Sequence, residues 1–102
     1  VKKKLVIGES LEFSFDIRAL NGSLGRLRIE YGIDYQKANG TLSRKLFQLS
    51  EGDFSGVCRE FSRSQSFRQM STRKHYAGLH RLAILVNGEE KALASFELCV
   101  SG

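Results

Sequence analysis

The chain has 102 residues, 41% of them hydrophobic and none proline, with a formal net charge of +5. That length serves one domain and is short for two, so residues 1–102 read as a single unit. The longest uninterrupted apolar run, Leu82 to Val86, falls far below the ~20 residues of a membrane-spanning helix. Two cysteines are too few for a disulfide framework, and no signal-peptide pattern opens the chain. The expected setting is a reducing cytoplasm. Because the chain does not begin with Met, Val1 reads as the edge of a larger protein or a trimmed one.

Lys2 to Lys4 form a basic start, after which Leu5 and Ile7 begin a short strand. Gly8-Glu9-Ser10 turns the chain into LEFSFDI, where Leu11, Phe13, Phe15 and Ile17 alternate with polar residues. That alternation predicts a strand with one buried and one wet face. Asn21-Gly22 and Gly25 mark a loop. LRIEYGIDY then places Leu27, Ile29, Tyr31, Ile33 and Tyr35 on one side, with Arg28, Glu30, Gly32 and Asp34 on the other. Asn39-Gly40 turns into a strand carrying Phe47 and Leu49 inward. Ser50 to Gly56 reads as a polar loop interrupted by Phe54, and residues 57–65 as a less regular strand. Residues 67–78, FRQMSTRKHYAG, have neither helix nor strand period and read as a long basic connection. A hairpin closes the chain: Asn87-Gly88 separates two alternating runs and suits a type I′ turn.

Seven short strands, frequent turn signals and no amphipathic helix predict an all-β fold. Two antiparallel sheets packed as an immunoglobulin-like or fibronectin-like sandwich fit best, with a closed barrel as the alternative. Cys58 and Cys99 fall on the opposite parity from the core positions of their strands, which argues against a bridge between them.

The charge is unevenly placed. Arg59, Arg63, Arg68, Arg73, Lys74 and Arg81 stand against Glu60 alone, so the window from 59 to 81 carries the whole net charge. A surplus of this kind points to a polyanion or an acidic neighbouring surface, or to a solvated loop with nothing bound. Arg68, Arg73 and Lys74 can pair with phosphate oxygens, and Phe67, His75 and Tyr76 can stack on a base. Alternatively, Phe67, Met70 and Tyr76 fold back as a plug over one end of the core. Lys37 and Lys45 flank the Asn39-Gly40 turn and extend the patch, interrupted by Asp34. His75 and His80 have no third metal ligand in reach of sequence, so no metal or other cofactor is expected, and His80 sits in phase with the core. The serines at 62, 64, 66 and 71 lack a nucleophile elbow or an acid to orient a base, so no catalytic centre is expected.

Two segments carry a family resemblance: residues 29–49, IEYGIDYQKANGTLSRKLFQL, and residues 66–98, SFRQMSTRKHYAGLHRLAILVNGEEKALASFEL. They resemble the C-terminal β domain of bacterial DNA alkylation repair proteins, whose N-terminal part is a HEAT-like helical-repeat glycosylase. That family's pattern joins a KANG turn, a Ser-Pro-Lys strand start, an FR-x-M-T-T-R-K-H-Y-P-G stretch and a VNG hairpin. Lys37 to Gly40, Lys45, Phe47, Phe67, Arg68, Met70, Thr72 to Tyr76, Gly78, His80 and Val86 to Gly88 fit it. Arg44 and Ala77 stand where the family tends to have proline, and Ser71 where it has threonine. The resemblance implies a non-catalytic accessory module, its excision chemistry belonging to the helical repeats. Its basic loop, with Arg63, Arg68, Arg73, Lys74, His75, Tyr76, Lys37 and Lys45, would assist contact with the DNA backbone. The alternative is a structural role, docking on the helical-repeat domain without meeting nucleic acid.

Overall fold

The computed structural model describes residues 4–19, 22–69 and 74–100. Seven strands follow in order: β1 (Lys4–Val6), β2 (Ser10–Arg18), β3 (Gly25–Gln36), β4 (Leu42–Phe54), β5 (Cys58–Ser66), β6 (Gly78–Val86) and β7 (Glu89–Cys99). They form a five-stranded sheet ordered β1-β7-β6-β3-β4 and a two-stranded sheet of β2 with β5. This is an immunoglobulin-like sandwich, and the two sheets do not close into a barrel.

Alternation decides the layers. Leu11 and Phe13 of β2 turn toward Tyr31, Ile33, Leu82, Ile84, Phe96 and Leu98 of the larger sheet, and Phe61 of β5 toward Leu27, Ile29 and Phe54, with Phe15 half-buried against both groups. Phe13 meets Tyr31 edge-on across the gap at 5.0 Å, and Tyr31 stacks at 4.9 Å on Phe47, its neighbour in the same sheet. Buried aromatics of this size contribute roughly 1.5–3 kcal/mol each by area. Burial raises the Tyr31 phenol above its ordinary pKa, with Arg63 opposing the shift, and its hydroxyl donates to Gln65 Oε1 at 2.7 Å. Asn87 and Gly88 take φ values of 53° and 81°, as the type I′ turn requires. The turn is tied down, since the Asn87 amide donates to the Arg28 carbonyl and the Arg28 amide to Asn87 Oδ1.

Three features depart from the pattern read in the sequence. β1 runs parallel to β7, with Lys4 opposite Glu97, so the sheets are not wholly antiparallel. β1 lies at the rim of one sheet and the chain then crosses at Gly8 to begin β2 in the other, a change of layer that alternation does not report. Ser50 to Phe54 are strand rather than loop: β4 continues in pairing with β3 as far as Phe54 opposite Gly25. A bulge at Ile29/Glu30 absorbs one residue of β4, and buried Phe54 anchors the far end. The outward face of β3 is also drier than its polar sequence suggests, because Gly32 and Asp34 are both buried.

Candidate polyanion-binding end

β3 ends at Gln36, β4 begins at Leu42, β5 ends at Ser66 and β6 begins at Gly78, so the Lys37–Thr41 turn and the basic connection share one end of the sandwich. That end is closed by an aromatic plug. Phe67 is wholly buried among Tyr35, His75, His80 and Phe96, with ring centroids between 5.1 and 5.7 Å. Its backbone continues the β2–β5 ladder through Phe67 N to the Glu9 carbonyl and Gly8 N to the Phe67 carbonyl, both 3.0 Å. Further on, the Gln69 amide closes the loop like a clamp. Its Nε2 donates to the His75 carbonyl at 3.0 Å and its Oε1 accepts from the His75 amide at 2.8 Å.

His80 lies beneath, wholly buried, with Nδ1 beside the Gly78 carbonyl at 3.1 Å and Nε2 accepting from the Gln36 amide at 3.4 Å. With Nδ1–H donating, both ring nitrogens are used in the neutral tautomer. Burial holds the His80 imidazole below its ordinary pKa, against the opposing pull of Gly78. Gly78 is needed for this geometry: its φ is +129°, and a Cβ there would fall 2.7 Å from Gln36 Oε1.

Above the plug the cations are displayed. Lys37, Arg68 and Lys74 are exposed at this end, and Lys74 Nζ lies 5.7 Å from the ring of half-buried Tyr76. Lys45 and Arg63 sit one short step inward on β4 and β5. Lys45 reaches over the Phe47 ring at 5.5 Å, while the Arg63 guanidinium donates to the Ser62 carbonyl at 2.7 Å and the Leu49 carbonyl at 3.4 Å. Arg73 and Met70 lie outside the described residues. His75 is only 4% exposed and stacks on Tyr35 at 5.6 Å, so it supports the loop from below instead of presenting a ring for stacking. Phe67 is likewise plug.

The continuous basic window read from sequence is divided in space. Arg59 lies at the start of β5, the opposite end, with its guanidinium 5.3 Å from the Phe54 ring. Arg81 is on the outward face of the large sheet, its Nε donating to Asp34 Oδ2 at 2.9 Å. Arg44 joins it there: Nε and Nη2 donate to the two Asp34 oxygens at 2.7 and 3.1 Å, and Nη2 reaches Glu90 at 2.9 Å. The Arg44 hydrogen bond is the main reason that Asp34 is held below the ordinary carboxylate range. Gly32 makes room for this arrangement, since a Cβ would stand 3.1 Å from the Arg44 stem.

This network was missed in sequence, because alternation names a face without saying which long side chain lies over it. Its consequence is a sorting of charge. Arg18, Arg26, Arg28, Arg44, Arg81 and Lys91 all lie within ion-pair distance of carboxylates. Among the described residues, Lys4, Lys37, Lys45, Arg59, Arg63, Arg68 and Lys74 make no such pair, and of these Lys37, Lys45, Arg63, Arg68 and Lys74 belong to the plugged end.

The model of a family described as the C-terminal Ig-like domain of the uncharacterised protein YhaZ matches residues 1–100. An uncharacterized protein YhaZ of Bacillus subtilis (strain 168) is 43% identical over 98 residues, covering 95% of this chain and 27% of that protein. Among solved structures, the Pseudomonas fluorescens alkylpurine DNA glycosylase AlkC, bound to DNA containing an abasic site analog, aligns with a TM-score of 0.89 at 36% identity. It covers 95% of this chain and 28% of its own, so this chain spans little more than a quarter of either relative. A Listeria innocua beta-glucosidase aligns over 98% of this chain and 15% of its own, with a TM-score of 0.75 at 18% identity, which reflects a shared fold alone.

Proposed function

The chain belongs to the family of YhaZ C-terminal Ig-like domains, and from that premise we propose that it is a non-catalytic accessory domain of a cytoplasmic DNA alkylation repair protein. Its plugged end contacts the DNA backbone through Lys37, Lys45, Arg63, Arg68 and Lys74, while a helical-repeat domain of the same protein carries the excision chemistry. The observation that carries this reading is the segregation of cations without carboxylate partners at one end of a scaffold whose other cations are mostly paired. It is supported by the relative at 36% identity being a DNA glycosylase seen on DNA. Cations that need not surrender an ion pair can neutralise phosphates at lower cost. Such contacts position a protein on a duplex without reading its sequence.

The test is a salt titration of duplex binding by the 102-residue chain. The logarithm of the affinity should fall linearly with the logarithm of salt, with a slope of about 0.9 for each phosphate neutralised. Arg68→Glu combined with Lys74→Glu should lower that slope by about 2. Absence of binding at low salt would sink the reading in favour of a structural module that docks on the helical-repeat domain.

A further inference from the structure

The two sheets are unequal, and the smaller leaves part of the larger uncovered. Ala92 and Ala94 of β7 point inward, in phase with buried Phe96 and Leu98, yet Ala92 is exposed and Ala94 half-exposed. Beside them runs a groove of about 630 Å³, walled by Phe15 and Ile17 of β2 and floored by Ile84, Val86 and Ala92. A smaller hollow of about 140 Å³ lies next to it, reaching Phe13, Leu82 and Ala94.

The wall of this groove is a strand edge that has no partner among the described residues. Ala19 N donates to the Val57 carbonyl and Phe67 N to the Glu9 carbonyl, which fixes the odd-numbered residues of this register as the ones bonded across to β5. Glu12, Ser14, Asp16 and Arg18 therefore turn their N–H and C=O groups to the open side, and β2 has no second neighbour among the described residues. An unpaired edge above an apolar floor is the receptor half of strand addition.

We propose that this groove receives one strand from the polypeptide preceding this domain in the full-length protein, paired to the free edge of β2. Two observations choose that occupant. The matched family is a C-terminal domain, and this chain spans 27% of its Bacillus relative, so most of that relative's sequence precedes the region matched. Moreover, β1 runs parallel to β7 with Lys4 opposite Glu97, so the N-terminal end of β1 faces the low-numbered half of β7. That is the flank on which Ala92 and Ala94 lie bare. A strand in the plane of β7 would leave their inward faces open, so the lid belongs in the layer of β2. Its inward positions carry large aliphatic or aromatic side chains, because the alanine floor supplies little volume of its own.

The inference rests on the proposed function only in taking this domain as part of a longer protein. Hydrogen exchange, read by mass spectrometry with residue-resolving fragmentation and without DNA, compares the full-length protein with the 102-residue chain. The amides of Glu12, Ser14 and Asp16 should exchange at least tenfold more slowly in the full-length protein, while those of Phe13 and Phe15 change little. Ala92→Glu should leave the melting temperature of the short chain unchanged and abolish the added protection in the long one. Equal exchange in both proteins would overturn the proposal. So would protection that grows with concentration in the short chain, which would make a second copy the occupant. Because DNA is absent, either result leaves the salt titration to judge DNA binding separately.

Discussion

Asp34 shows how one side chain can be misplaced by a correct pattern. The alternation of β3 puts it on the outward face, and it is there, but only 3% exposed beneath Arg44 and Arg81. What covers a sheet face depends on which residues of distant strands fall opposite, and that register is not written in the local sequence. His80 was legible for the contrary reason, since a residue in phase with Leu82 and Ile84 on a strand is buried by the same rule that buries them. The two groups act on acid stability in separate pH ranges. The unfolded chain protonates His80 first, below about 6.5, while the buried neutral ring resists, so stability falls as pH drops from there toward the lower folded value. Asp34 is held below the ordinary carboxylate range, so its contribution is complete above about 3.9 and is lost as pH falls further, through its folded value. Urea denaturation followed from pH 7 to pH 3 should show both declines. His80→Gln should remove the upper one, and Asp34→Asn the lower one at a cost of about 2 kcal/mol at pH 7, since two partly exposed guanidiniums lose their shared carboxylate. An unchanged profile in either variant would refute that assignment.

Among the elements, regular strands were readable because their period is their cause, as in β2, β3 and the β6–β7 hairpin. The continuation of β4 through Ser50–Phe54 was not readable, since a polar glycine-bearing stretch extends only where β3 offers a long partner. The 67–78 connection posed the harder question, and there the described residues favour packing: Phe67 and His75 go inward and leave Arg68 and Lys74 outside. Its order then depends more on the plug than on the clamp. Phe67→Ala should destabilise the domain by about 3–5 kcal/mol, the range for a fully buried aromatic, with the cavity opening beneath His75. Gln69→Ala should cost only about 1–2 kcal/mol, while raising hydrogen exchange at the His75 amide. If the two variants denature at the same urea concentration, the plug does not dominate.

At the scale of the whole molecule, the sequence showed a surplus of cations between 59 and 81 but not that the fold would send Arg59 to one end and Arg81 into an ion pair. A strand some nine residues long separates its two ends by about 30 Å, nearly four Debye lengths at physiological salt, so charges at opposite ends act as separate patches. Reversing Arg18 and Arg26 to Glu, at the end remote from the plug, should therefore leave the salt slope of duplex binding within error of the wild type. A loss equal to that from Arg68→Glu with Lys74→Glu would mean that net charge, rather than the plugged end, governs binding.

The parallel pairing of β1 with β7 has a mechanical meaning. The first described strand and the last lie side by side and point the same way, Lys4 against Glu97 and Val6 against Cys99, with a further bond from the Ile7 amide to the Cys99 carbonyl at 2.8 Å. Tension that draws the incoming and outgoing chain apart therefore loads this seam in shear. Its bonds must yield together and cannot be peeled open one after another, so the joint most exposed to a tug from a tethered neighbour is also the one oriented to resist it.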